Sequence, residues 1–151
     1  MKKLLLIAAI IAALVIPHHA MAVGSVTETF YDDFNMKMVT LAWTSDAAGD
    51  VSVALSTEAM KLILGRDIQA VVTIPGAGDD APTDNYDVYL YDSNSMDILG
   101  NAAMNRSTSA TQIITPYVGA AYGYSPVYDN LTLIIDVAGN ANKGTVKLIC
   151  R

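Results

Sequence analysis

Hydrophobic and polar residues alternate in short runs along most of the chain, and residues that favour turns separate these runs. In "MKMVTLAWTS", residues 36–45, the side chains of Val39, Leu41 and Trp43 fall on one face of an extended chain. A period of two is typical of a strand that is buried on one side. The segment is therefore predicted to be a strand, and "DAAGD" after it a turn.

The same pattern predicts further strands. In "YDVYLYD", Tyr86, Val88 and Leu90 face one way, whereas Asp87, Tyr89 and Tyr91 face the other. In "LTLIIDV", the core face is predicted to consist of Leu131, Leu133, Ile135 and Val137. "AGNANKG" is predicted to be the last turn, because its residues tolerate positive φ. The remaining predicted strands are residues 51–55, 67–75, 111–116 and 145–151.

One segment, "STEAMKLILGR" at residues 56–66, fits two structures. Ser56 or Thr57 could cap a helical turn that Gly65 would end. A strand over "MKLIL" is preferred, because strands are predicted on both sides of it.

Seven or eight short strands with Gly, Asn, Asp and Pro between them predict an all-β fold. The expected architecture is an antiparallel β-sandwich or jelly roll, formed by residues 23–151 as a single domain. No internal repeat or domain boundary is visible in the sequence.

The N-terminus has the pattern of a secretory signal peptide. Lys2 and Lys3 precede an apolar run over residues 4–16, and Ala20-Met21-Ala22 matches a cleavage site. The run is shorter than the roughly 20 apolar residues of a membrane span. Residues 1–22 are therefore predicted to be a signal helix that directs export to the periplasm or the extracellular space. A membrane association is expected only if this leader is retained.

Charge excludes one class of partner. Lys2 and Lys3 leave with the leader, so the nine basic side chains become seven against fifteen acidic ones, a formal charge of −8. The remaining Lys and Arg residues are scattered along the sequence. Nucleic acid is not an expected partner, because phosphate binding needs clustered basic side chains.

The chain offers little to catalysis. Both histidines, His18 and His19, belong to the predicted leader, so the exported domain lacks the usual general base. The single cysteine, Cys150, alternates in phase with Val146 and Leu148, which predicts a small buried hydrophobe at the end of the last strand; an intermolecular disulfide is the alternative. The serine-hydrolase motif is absent from the sequence, and "GAG" at 76–78 runs into acidic residues that would repel a phosphate. We expect no enzyme, no catalytic residue and no cofactor.

Calcium is the one ion that the acidic loops could hold, because it takes six to eight oxygen ligands. One candidate group is Asp79, Asp80, Asp84 and Asp87, and a second is Asp92, Asn94 and Asp97. Neither group matches the EF-hand loop. The favoured interpretation is that these side chains bond to the backbone of their own turns.

Tyrosines form the second candidate surface. Tyr117, Tyr122, Tyr124 and Tyr128 crowd into residues 116–130, and Tyr89 and Tyr91 share the polar face of their strand. Tyrosine is enriched at protein interfaces and also stacks on sugar rings. Packing beneath a long loop is the third possibility.

Three stretches resemble small all-β virion structural proteins of tailed bacteriophages: "VTLAWTSDAAGDVSVAL", "AVVTIPGAGDDAPTDNYDVYLYDSNSMDILGNAAMNRSTSA" and "LTLIIDVAGNANKGTVKLICR". The similar features are a strand that ends in Trp-x-Ser before a Gly turn, "PTDNYD" before a strand, "DILG", "NRS" and the "AGNxxxG" turn. The resemblance covers nearly all of residues 36–151. It implies a decoration, head-associated or tail-associated role in a virion and no active site. The export signal departs from that group, whose members assemble in the cytoplasm.

Two functions remain open at this point. The first is a structural protein that packs against copies of itself or a larger assembly through an exposed β face or the tyrosine loop. The second is a secreted binding module, in which Tyr117, Tyr122 and Tyr124 stack on carbohydrate and the 79–87 loop holds calcium.

Overall fold

The computed structural model describes residues 23–151, and the predicted signal peptide lies outside the described residues. Antiparallel strands dominate this part of the chain, which confirms the predicted all-β, sandwich-like fold. None of the helices within residues 23–151 is long and apolar enough to span a bilayer. The strands are β1 (Ser25–Asp32), β2 (Lys37–Thr44), β3 (Val51–Ala54), β4 (Asp67–Pro75), β5 (Asp87–Tyr91), β6 (Gln112–Ile114), β7 (Tyr117–Val118), β8 (Ala121–Tyr122), β9 (Ser125–Pro126), β10 (Thr132–Asp136) and β11 (Lys143–Cys150).

Two sheets enclose the core. The larger, six-stranded sheet has the order β1-β2-β11-β4-β6, and β9 also pairs with β4. The smaller, three-stranded sheet has the order β3-β10-β5. The short strands β7 and β8 form a separate hairpin.

Alternation decides which side of each strand is buried. Val39, Leu41 and Trp43 of β2 are buried, as predicted, and so are Val88 and Leu90 of β5. Their side chains meet in one hydrophobic core that also takes in Val146, Leu148 and Cys150 of β11. Burial of such side chains is the main stabilising term of the fold, at about 1.5–3 kcal/mol for each large aliphatic residue.

Residues 57–63 are a helix, α1 (Thr57–Ile63), so the preferred strand over "MKLIL" is wrong. The Ser56 hydroxyl accepts a hydrogen bond from the Ala59 N–H at 3.1 Å and caps the helix. Ala59, Met60 and Ile63 then share one helical face, and all three are buried. An extended chain would turn Met60 away from Ala59 and Ile63, so the helix buries more apolar surface.

Strand β1 was not predicted from the sequence, because it lacks the regular alternation of apolar and polar residues that marks the other strands. All eight of its residues pair with β2, from Ser25 opposite Thr44 to Asp32 opposite Lys37. Glu28 ties β1 to the helix, because its Oε1 accepts a hydrogen bond from the Ser56 N–H at 2.9 Å and its Oε2 accepts one from the Ser56 hydroxyl.

The predicted core face of β10 needs one correction. Leu131, Leu133 and Ile135 are buried, but Val137 is 60% exposed. Its φ of 62° lies in the left-handed region, which ends the strand after Asp136 and turns the side chain outward. The turn to β11 is also shorter than predicted, since β11 begins at Lys143.

Candidate functional site

The four aspartates of the first candidate calcium group have separate positions. Asp79 and Asp80 lie in an exposed 3-10 turn, Gly78–Asp80, where Asp80 pairs with Lys143 at 2.9 Å. Asp84 accepts a weak bond from the Thr108 N–H at 3.4 Å. Asp87 accepts hydrogen bonds from the Asn105 N–H at 2.7 Å and from the Tyr89 hydroxyl at 3.3 Å.

In the second candidate group, Asp92 and Asp97 bond mainly to the backbone of their own loop. Asp92 Oδ1 accepts hydrogen bonds from the backbone N–H groups of Asn94 and Met96, both at 2.9 Å. Asp97 accepts three backbone N–H bonds, from Leu90 and Leu99 at 3.1 Å and from Asn101 at 2.7 Å. The interpretation of Asp92 as a turn residue with local backbone bonds is therefore confirmed, whereas Asp84 bonds to a residue far along the chain.

Within residues 23–151, no three His, Cys, Asp or Glu side chains gather in an arrangement that could hold a metal ion. The structure does not bring the proposed calcium ligands together as a set. The loop carboxylates instead take up backbone N–H groups that would otherwise lack partners. Calcium binding by these loops, the less favoured alternative, stays untested.

Tyr89 and Tyr91 lie side by side on β5, an edge strand of the three-stranded sheet. Their rings are stacked, with centroids 5.6 Å apart and an interplanar angle of 11°. Burial and the neighbouring Asp87 carboxylate raise the pKa of Tyr89 to about 12. Both side chains are half-buried, so each still presents part of a ring to solvent.

The other four candidate tyrosines lie on and beside the β7–β8 hairpin. Tyr117 and Tyr122 are opposite each other in the hairpin, and their rings meet edge to face at 5.1 Å. Tyr122 is 75% exposed and Tyr128 82% exposed, and Tyr124 also projects into solvent. We call these four residues the tyrosine patch.

A shallow groove of about 250 Å³ runs beside the tyrosine patch. Tyr117 and Tyr128 line it together with the apolar side chains of Met96, Ile98 and Val118. The backbone fixes the hairpin at this point, because the Tyr117 N–H donates to the Leu99 carbonyl at 2.9 Å.

Cys150 is buried in the core at the end of β11, as predicted. Burial raises the pKa of its thiol to about 12. A thiol with so high a pKa does not form the thiolate that nucleophilic chemistry needs.

Two other surfaces were not predicted from the sequence. Phe34 is 91% exposed at the tip of the β1–β2 hairpin, beside the exposed Phe30 and Tyr31. The outward face of the six-stranded sheet also carries side chains that no motif marks. Only the pairing of the strands, which the sequence does not state, could have revealed them.

No family model, curated protein or solved structure matches the chain.

Proposed function

We propose that this protein is a non-enzymatic structural protein that packs against copies of itself or against neighbours in a larger assembly. The observation that carries the proposal is the tyrosine patch with its adjoining apolar groove. Contiguous exposed apolar and aromatic surface is uncommon on a free monomer and typical of protein contacts. Tyrosine contributes both ring packing and a hydroxyl hydrogen bond there.

The resemblance to small virion structural proteins supports the same role. The first five residues of the "AGNANKG" segment connect β10 to β11, and its last two, Lys143 and Gly144, begin β11. We infer a decoration, head-associated or tail-associated protein, exported if the N-terminal segment acts as a signal peptide. No catalytic residue and no nucleic-acid partner belong to this proposal.

The test is light scattering coupled to size-exclusion chromatography over a range of protein concentrations. We expect a defined oligomer that is insensitive to calcium and to reducing agent. A double variant, Tyr122→Ser with Tyr124→Ser, removes two exposed rings and should shift the oligomer toward the monomer. Leu64→Ser is the matched control, because Leu64 is also exposed but lies at the end of α1, outside the patch. A native protein that stays monomeric throughout would contradict self-association.

A secreted carbohydrate-binding module is the second candidate. The groove beside Tyr117 and Tyr128 favours it, because sugar rings stack on exposed aromatic faces. This function predicts a monomer whose melting temperature rises with added glycan, since a ligand that binds only the folded state stabilises it. Tyr122→Ala with Tyr124→Ala should then abolish the shift and leave folding intact. A calcium titration of the melting temperature tests the ion-binding half separately.

A further inference from the structure

The outward face of the six-stranded sheet is almost free of charge. Its central strands turn Met38 of β2, Ile149 of β11 and Ala70, Val72 and Ile74 of β4 away from the core, all half-buried. The only charged side chain that these three strands direct outward at their centre is Lys147. Its cross-strand neighbours are Thr40 and Val72. Among residues 23–151 it forms no ion pair, since the two pairs there are Lys37–Asp32 and Lys143–Asp80.

The outward face of the three-stranded sheet has the opposite charge. Asp136 of β10 lies directly opposite Asp87 of β5. Asp50 precedes β3 on the other side of β10, and its Oδ1 accepts a hydrogen bond from the Val137 N–H at 3.3 Å. The three carboxylates thus form a row across the sheet at one end. Tyr89 and Tyr91 continue the same face along β5.

The row of carboxylates is costly to the isolated chain. Like charges directly opposite one another in a sheet destabilise it. Burial, together with the Asp50 and Asp87 charges, raises the pKa of Asp136. Asp136 accepts no hydrogen bond from any residue between 23 and 151, whereas Asp87 accepts two and interacts with the charge of Arg106. The Asp136 carboxylate is thus the least compensated of the three, and a cation placed over the row would offset the remaining repulsion.

Charge decides how two copies could pack through these faces. Two large-sheet faces would bring Lys147 against Lys147, and two small-sheet faces would bring one acidic row against another. A large-sheet face against a small-sheet face brings Lys147 to the acidic row. The apolar side chains of the large sheet would then meet the tyrosine rings of β5. Opposite charge favours this arrangement over the other two.

We propose that copies of this chain stack face on face, with the outward face of the six-stranded sheet of one copy on the outward face of the three-stranded sheet of the next, and Lys147 over Asp50, Asp136 and Asp87. Packed sheets lie about 10 Å apart, and a lysine side chain from one sheet and an aspartate side chain from the other together reach across that gap. The contact is heterologous, so it leaves one face free at each end and generates an open stack or a ring. This inference rests on the proposed structural role and names the surfaces and the partner, a second copy.

The experiment uses charge reversal and mixing. Protein is purified from cells that express the full chain, and mass is measured by light scattering over a concentration series. Lys147→Glu should raise the dissociation constant of the stack by at least about tenfold, because it brings a carboxylate to the acidic row. Asp136→Lys should do the same by bringing a lysine to Lys147. A mixture of the two variants should regain mass, because Lys147 of an Asp136→Lys copy meets the unaltered acidic row of a Lys147→Glu copy.

Matched controls reverse charge away from both faces. Lys61 lies on the exposed side of α1, and Asp79 lies in the exposed 3-10 turn. The variants Lys61→Glu and Asp79→Lys should assemble as the native protein does. Circular dichroism melts of all four variants establish that each one folds.

The outcomes separate this inference from the proposed function. If the native oligomer persists in Lys147→Glu and Asp136→Lys but dissociates when the tyrosine patch is altered, stacking is wrong and the structural role stands. If Lys147→Glu dissociates the oligomer and Asp136→Lys does not, the outward face of the small sheet lies outside the contact and stacking is again wrong. If the native protein is monomeric at every concentration, both self-association and stacking are overturned.

Discussion

Single residues hold the loops of this protein in place, and Asp46 is the clearest example. Its Oδ1 accepts hydrogen bonds from the backbone N–H groups of Ala48, Gly49 and Asp50, at 2.8, 3.0 and 2.9 Å. These bonds, above all the one from Asp50, lower the pKa of Asp46. The carboxylate form therefore stabilises the β2–β3 turn.

The lowered pKa fixes the direction of a pH effect. The contribution of Asp46 is present above its unfolded pKa, near 4, and is lost as the pH falls through the lower folded pKa. Asp46→Asn keeps an acceptor oxygen but no charge, so we expect a lower melting temperature at pH 7 and a smaller difference from the native protein in strong acid. Asp46→Ala should lose more. Melts over a pH series test this, and a pH-independent difference would contradict the charge argument.

Gly100 packs directly against the backbone of Tyr117 in the β7–β8 hairpin. Its φ is 62°, and a Cβ added there would meet the Tyr117 carbonyl oxygen at 1.8 Å. Gly100→Ala therefore combines backbone strain with a clash against fixed backbone, and it should cost more than about 2 kcal/mol of folding free energy.

The control for this prediction is Gly65, whose φ is 78° but which has no atom within 4 Å of an added Cβ. Gly65→Ala should lose only the conformational cost, about 1–2 kcal/mol. Denaturant unfolding measures both variants. Equal losses of unfolding free energy in the two variants would show that the clash with the Tyr117 carbonyl does not destabilise the fold.

Among the secondary-structure elements, the three-stranded sheet carries the carboxylates of Asp50, Asp136 and Asp87 in a row across one end. Asp136 is uncharged in the protonated form that its raised pKa favours, so acidification through that pKa should relieve the repulsion from Asp50 and Asp87. Because the folded pKa of Asp136 is raised, the native state gains stability as the pH falls through the folded pKa toward the unfolded pKa. At neutral pH the charged carboxylate lowers the stability of the native state.

Asp136→Asn should therefore stabilise the fold at pH 7 by about 0.2–1 kcal/mol, and the gain should shrink as the pH is lowered toward 4. Chemical denaturation at several pH values measures the effect. The same variant should weaken stacking, so a gain in stability together with a loss of assembly is the expected combination. Asp79→Asn, exposed and outside the row, is the control.

At the scale of the whole molecule, the chain is a sandwich with unlike outer faces and an N-terminal strand that begins just after the predicted leader. Gly24 is buried, and a Cβ there would meet the Asp50 and Thr44 carbonyl oxygens at 2.5 and 2.8 Å. A cut after Ala22 would spare this packed residue and leave only Val23 before it.

We expect the protein recovered from an exporting host to begin at Val23. N-terminal sequencing or intact-mass measurement tests this directly. Ala20→Leu and Ala22→Leu remove the small residues that the cleavage pattern needs, and they should retain the leader. A full-length N-terminus in the native protein would make residues 1–22 a retained segment instead of a signal peptide.

The fold class and much of the core could be predicted from the sequence, because strand alternation and turn chemistry are local properties. Val39, Leu41, Trp43, Val88 and Leu90 were assigned to the core from spacing alone, and each is buried. Asp92 was assigned to its turn in the same way. Local patterns suffice where neighbours along the chain decide the environment.

The helix, the first strand and the candidate surfaces could not be predicted in this way, because they depend on contacts between residues that are distant in sequence. Residues 57–63 form a helix instead of a strand because a helix places Ala59, Met60 and Ile63 on one face, and the core buries that face. β1 exists because β2 pairs with it, and the acidic row exists because Asp87 and Asp136, from β5 and β10, come to lie opposite each other. The candidate surfaces follow from strand pairing, and a single sequence carries no local signal of which strands will pair.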